Sequence, residues 1–221
     1  METIVITKVS IVSHPILKME TQDRILLKAD EQFRRYGIRA VTLDEIANSL
    51  GISKKTIYQF FADKDALVDA VMMSEFENNR KDCCQCSVNA KDAVDEIFML
   101  MQNIDEDFRN LNPIIIFDLK KFHFKTFEKF EKHLHQDILQ MIMTNLKRGI
   151  EEGLYRDDLD IEIVARFRVA TIWLMFDQDV FPSNKFQLTK VAKEIFELFL
   201  HGLVNTKGYK LIEKYKQQKF K

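Results

Sequence analysis

Turn-forming residues are scarce in this chain, with 6 glycines and 3 prolines spread over 221 residues. A sandwich or barrel of short strands needs a turn roughly every 8–12 residues, so an all-β architecture is excluded and long helices are expected. Cysteine is just as sparse, and its three copies crowd together as Cys83, Cys84 and Cys86. That spacing cannot staple a secreted framework, and a reducing, cytoplasmic compartment is expected. No apolar run approaches the roughly 18 residues of a membrane span. A surplus of one charge is missing too: 33 basic side chains are matched by 34 acidic ones, for a formal net charge of -1. A surface coated with phosphate contacts is thereby excluded, and any contact with nucleic acid must be local.

Hydrophobic residues are plentiful, at 46% of the chain, which is ample for a core. Residues 1–18 mix Ile, Val, Thr and Ser without a helical period and lack the pattern of a signal peptide. They read as a poorly ordered extension, with Met19 as an alternative start. Beyond them Ile25, Leu26, Ala29, Phe33 and Tyr36 recur at helical spacing after Thr21, and Gly37 stands where a left-handed cap would end the helix. Thr42 and Glu45 form a Thr-x-x-Glu capping box for a second helix that stops at Gly51. Ser53 caps a short helix over 54–60, and Asp63 caps a fourth reaching the low eighties. Longer helices are expected over 90–109, from near Pro113, over 126–152 with Gly153 as the stop, and over 160–177 and 185–204. The tail from Thr206 carries six Lys and one Glu and reads as a short exposed helix.

The informative string is TLDEIANSLGISKKTIYQFF, residues 42–61. Two helices that cross over a tight turn need a small residue at the contact, a glycine at positive φ and apolar residues across the joint. Ala47 supplies the first, Gly51 the second, and Ile46, Leu50, Ile52 and Ile57 the third. The second helix of such a unit lies in the major groove of DNA, so its outward residues Lys54, Lys55, Thr56, Tyr58 and Gln59 decide what is read. Lys and Gln meet base edges; the hydroxyls of Ser53, Thr56 and Tyr58 hold phosphates, and Lys64 is placed for one more. Between Arg34 and Lys64, six basic residues (Arg34, Arg35, Arg39, Lys54, Lys55, Lys64) outnumber three acidic ones (Asp44, Glu45, Asp63) inside a chain of almost no net charge.

From Thr21 through Asp69, with TLDEIANSLGISKKTIYQFFADKDALV at its heart, the sequence resembles the amino-terminal domain of the TetR/AcrR family of bacterial transcriptional regulators. The resemblance implies an all-α fold, a three-helix helix-turn-helix domain followed by a larger helical ligand-binding and dimerisation domain. It implies a phosphate contact for Thr42, reading positions at Lys54 to Thr56, and phosphate contacts for Tyr58 and Lys64. Lys55 departs from the smaller residue that many members carry, which bears on the operator sequence. A homodimer on a palindromic double-stranded operator is further implied, with one recognition helix per half-site. The expected division is an extension over 1–19, a helix-turn-helix domain over 20–80, a sensing and dimerisation domain over 81–205, and a basic tail over 206–221.

The stretch EEGLYRDDLDIEIVARF, residues 151–167, resembles the family's approach to its dimerising helices. By that analogy 161–176 and 191–203 pack against their copies, with Trp173, Phe176, Phe196, Phe199 and Leu200 as interface candidates. Nine Met and eighteen Phe supply soft, bulky side chains of the kind that line an adaptable pocket for a lipophilic inducer. The candidates are Phe98, Met101, Ile104, Phe108, Ile116, Phe117 and Phe127, though the same residues at helical spacing also serve as plain core. No cofactor or metal is expected: Cys83 and Cys86 alone share a helix face, and His133 and His135 read as surface side chains of the long helix. An enzyme is not expected either, because neither the paired Glu-x-x-His segments of a di-metal bundle nor a nucleophile triad is there. A small-molecule-released repressor fits better than a catalyst or a scaffold.

Overall fold

The computed structural model describes residues 20–219, so the expectations for 1–19 lie outside the described residues. The described residues form eleven α-helices and no sheet; one antiparallel bridge joins Tyr155 and Val204. Four helices make the amino-terminal part: α1 (Thr21–Tyr36), α2 (Leu43–Leu50), α3 (Lys54–Tyr58) and α4 (Lys64–Asn89). Local chemistry sets their ends. Thr42 and Glu45 make the expected capping box, while Ser53 and Asp63 accept from the backbone N–H groups of Thr56 and Ala66. Gly51 takes the left-handed conformation, φ 66°, that the tight turn into α3 requires. Gly37 has a positive φ of 83° but an extended ψ of 159°, so α1 ends in a sharp exit and not in the left-handed cap expected there.

The larger part comprises α5 (Ala93–Phe108), α6 (Ile114–Phe122), α7 (Phe124–His133), α8 (Leu139–Glu151), α9 (Ile161–Phe176), α10 (Leu188–Leu203) and α11 (Thr206–Lys219). The single helix expected over 126–152 is one helical run broken in register by a π-helical turn, Leu134–Ile138. Across that turn His133 Nδ1 lies 2.8 Å from Asp137 Oδ2. One extra residue per turn rotates everything beyond it, which a fixed helical period read from sequence does not follow. His133 is buried and stacked on Phe76, with ring centroids 5.1 Å apart, contrary to its reading as a surface side chain; His135 is exposed.

One apolar cluster runs from Ile25, Phe33, Ile46, Ile57 and Leu67 through to Ile115, Leu119 and Phe127, so α6 and α7 share a core with the amino-terminal helices. A second joins Phe98, Leu146, Tyr155, Leu200 and Ile212. The tail is part of this second core. Ile212 and Tyr215 are buried, Tyr215 donates to Asp92 Oδ2 at 2.6 Å, and Lys216 pairs with Glu197 at 2.9 Å. The exposed basic helix expected there is therefore amphipathic and docked, with Lys207, Lys210 and Lys214 on the outer side.

Candidate nucleic-acid interface

Helix α3 is anchored by one side chain, Ile57, which is fully buried among residues of α1, α2 and α4. With Ile57 pointing in, Lys55, Tyr58 and Gln59 point out and are exposed, and none of their side chains makes a hydrogen bond or ion pair with another described residue. The neighbouring expected contacts are already engaged. Lys54 Nζ sits 2.9 Å from Asp44 Oδ2, which holds its pKa above the ordinary lysine value. The Ser53 and Thr56 hydroxyls lie 2.9 Å apart, and Thr42 Oγ1 donates to Glu45 at 2.9 Å. These four remain at the surface, but each must exchange a partner before meeting DNA. Phe60, exposed beside Tyr58, is a fourth outward side chain that the sequence reading left out.

Lys64 is turned inward. Its ammonium donates to the carbonyls of Ile38 (2.6 Å) and Val41 (2.5 Å), pinning the start of α4 to the loop between α1 and α2, and desolvation lowers its pKa. Two of its three donors thus form a structural clamp, which leaves one for the phosphate contact expected of it. Lys64→Met should lower stability by about 1–3 kcal/mol, because two loop carbonyls lose their donor. A chemical-denaturation midpoint checks this. The salt dependence of DNA binding keeps its slope if the clamp is the whole role of Lys64, whereas loss of a phosphate contact lowers that slope by about one.

Behind this surface lies a cavity of about 700 Å³. Its walls come from α1, α4, α5 and the helices that follow, and one side is formed by Asp30, Arg34 and Glu75 of α1 and α4. Of the expected pocket residues, Ile104, Phe108 and Ile116 line it. The other four do not: Phe98 and Met101 belong to the second core, Phe127 packs against Trp173 in the first, and Phe117 is half exposed. Cys83 also lines the cavity, and burial pushes its thiol up to about 12, which disfavours the thiolate.

Arg34 is the joint between cavity and reader. Its guanidinium pairs with Glu75 at 2.7 Å and donates to the Asp107 carbonyl at 2.7 Å, while its backbone carbonyl accepts from the Asn112 N–H at 2.6 Å, so α1 is tied to α4, to the end of α5 and to the α5–α6 loop. Nearby Asp30 is raised to about 6, first by burial and then by Glu75. In the unfolded chain Asp30 ionises near 3.9, so between about pH 4 and 6 the folded state holds the extra proton and stability falls as pH rises. Above pH 6 the penalty is complete. Asp30→Asn should therefore raise stability by about 1–2 kcal/mol at pH 7.5, discounted for partial exposure, and by almost nothing at pH 4. Paired denaturation curves at the two pH values test the sign.

Two family models match this chain: bacterial regulatory proteins of the tetR family over residues 25–71, and the carboxy-terminal region of YsiA-like proteins over 128–202. Together they span more than half of it. The chain belongs to the TetR family. It is accordingly a DNA-binding transcriptional regulator. A relative from Mycolicibacterium smegmatis, the HTH-type transcriptional repressor KstR2, is 24% identical over 200 residues, covering 86% of this chain and 93% of the relative. Among solved structures, the fatty acid degradation regulator FadR of Bacillus halodurans superposes with a TM-score of 0.65 at 19% identity, covering 84% of this chain and 97% of that one. A regulator from Saccharomonospora viridis in complex with choline reaches 0.69 at 18% identity, covering 83% and 97%. At these identities the structures speak for the fold.

In this TetR regulator the five residues expected at a dimer interface turn into their own chain. Trp173 packs on Phe127 and Phe130, Phe176 meets Phe108 edge-on, Phe196 and Phe199 lie under Arg168, and Leu200 is buried in the second core. Helix α9 is apolar around most of its circumference, so periodicity could not say which side faced outward. The outward side carries Ile163, Phe167, Ala170 and Leu174, and Leu198 of α10 is exposed as well; Phe167 is 61% and Leu198 73% exposed.

Proposed function

We propose that this TetR regulator acts in the cytoplasm as a homodimeric repressor, holding a palindromic operator through Lys55, Tyr58 and Gln59 of two α3 helices. Ser53, Lys54, Thr56 and Thr42 support those contacts from the helix starts, and a lipophilic small molecule in the cavity releases the DNA. The observation that carries this reading is the position of the cavity wall: Asp30, Arg34 and Glu75 belong to the same α1 and α4 that hold α3. A ligand that displaces them moves the reading helix, and the spacing of two such helices is what a two-half-site operator measures.

We assign dimerisation to the exposed residues Ile163, Phe167, Ala170 and Leu174 of α9 and Leu198 of α10, two helices that pack together, since large apolar side chains at this exposure favour burial against a partner. Phe167→Glu combined with Leu198→Glu should give a folded monomer by light scattering. Its operator affinity should fall by roughly 10²- to 10⁴-fold, the gain that linking two reading heads ordinarily provides. The whole reading is tested by mobility shift on an operator obtained from genomic fragments, followed by lipophilic compounds. Release of DNA by compounds that also raise the thermal midpoint supports it; a dimer double mutant that binds as tightly as the parent contradicts it.

A further inference from the structure

The cavity is walled mainly by carbon, yet one charged side chain from α9 reaches it from a buried position. Arg168 is 4% exposed and shares its helix face with Ala165, Val169 and Ile172. Its guanidinium lies 3.9 Å from the centre of the Phe196 ring and 5.5 Å from that of Phe199, and Nη1 donates to Thr171 Oγ1 at 2.8 Å. A guanidinium carries five N–H donors in a planar fork, so one hydroxyl leaves most of them unserved. Among the described residues no carboxylate stands within ion-pair distance, and burial alone acts on its pKa, lowering it to about 10. The group keeps its charge at neutral pH. Five carboxylates line the cavity: Asp30, Glu75 and Asp107 gather around Arg34, Glu96 pairs with Arg148 at 3.2 Å, and neither these nor Asp82 registers on Arg168.

A buried cation without a counter-ion is unfavourable, and two aromatic faces offset only part of that penalty. Filling the cavity sharpens the problem. An apolar molecule expels the water that hydrates the guanidinium, and a cationic one adds a like charge. Only a ligand that brings a negative group both fills the space and completes the fork, since planar, paired hydrogen bonding to a carboxylate or phosphate is what this side chain does best.

We propose that the cavity takes an anionic amphiphile, an apolar body ending in one carboxylate or phosphate, and that Arg168 receives the anionic group. This rests on the reading of the cavity as the sensor pocket. The test is calorimetric titration of the full chain, at near-physiological salt, with decanoate, decyl phosphate, decanol and decylamine. Decanoate or decyl phosphate should bind about 10- to 100-fold tighter than decanol, the gain of a charge-assisted pair over a neutral hydrogen bond, and decylamine no tighter than decanol. The order of the two anions tells carboxylate from phosphate. Arg168→Met should abolish the anion preference while keeping decanol binding, Arg168→Lys should retain part of it, and without ligand Arg168→Met should raise the thermal midpoint by about 2–4 °C. If decanol or decylamine matches the anions in the parent protein, the anionic assignment fails and the pocket stands. Should none of the four bind, the pocket reading itself falls, and the proposal with it. The comparison within the parent protein decides the matter even if Arg168→Met does not fold.

Discussion

Gly149→Ala is expected to remove about 3 kcal/mol or more of stability, because a methyl group there has nowhere to go. A β-carbon at this position of α8 would lie 2.1 Å from Cδ2 of Tyr155. That ring cannot swing aside. Tyr155 is 2% exposed, its hydroxyl sits 3.0 Å from both the Ala93 carbonyl and Asn145 Oδ1, and its own N–H donates to the Gly149 carbonyl at 3.0 Å. The substitution therefore breaks the contact between α5, α8 and the turn after Gly153 on which the second core is built. A drop in thermal midpoint of roughly 6–12 °C is the readout for a chain of this length. Gly202→Ala supplies the control. Nothing lies within 4 Å of its added carbon, so the gain in helix propensity should stabilise by about 0.5–1 kcal/mol, with the opposite sign.

On the reading surface the largest effect is expected at Lys55. Its ammonium is exposed and without an ion-pair partner among the described residues, so removing it disturbs no internal contact. Lys55→Ala should weaken operator binding by about 10- to 100-fold and relax the preference at the base it meets, as loss of a base-edge contact does. Tyr58→Phe removes one hydroxyl donor and should cost about threefold to tenfold, evenly across sequences, as a phosphate contact does. Both variants should remain dimeric with unchanged thermal midpoints. Lys54→Ala is a useful contrast, because Asp44 loses its partner in the same stroke and the effect on DNA is mixed with a rearrangement of α2.

Where the signal is local, the residues declare the structure. The capping box of Thr42 with Glu45, the caps Ser53 and Asp63, and Gly51 at the turn each act within four positions, and all appear as expected. The clamp made by Lys64 is not legible in the sequence, because its partners, the carbonyls of Ile38 and Val41, lie more than twenty positions away in the chain. The cavity was legible only in part for the same reason. Its lining is gathered from many helices, and the π-helical turn at Leu134–Ile138 resets which side chains face it. Helix α9 hid its orientation behind an apolar circumference, so Trp173 and Phe176 were assigned outward while Ile163 and Phe167 hold that side. Arg168 left no sign either, because the same apolar circumference does not mark its face, shared with Ala165 and Val169, as the interior one.

Lys55 and its neighbours on α3 carry the account, and selection of bound fragments from genomic DNA, run in parallel with the parent protein and Lys55→Ala, tests them most directly. The parent should enrich one motif of two dyad-related half-sites, their centres about 10–10.5 base pairs or a multiple apart, and Lys55→Ala should loosen that motif at the positions under α3. Enrichment of no motif by the parent, or of the same motif with the same affinity by the variant, would contradict it.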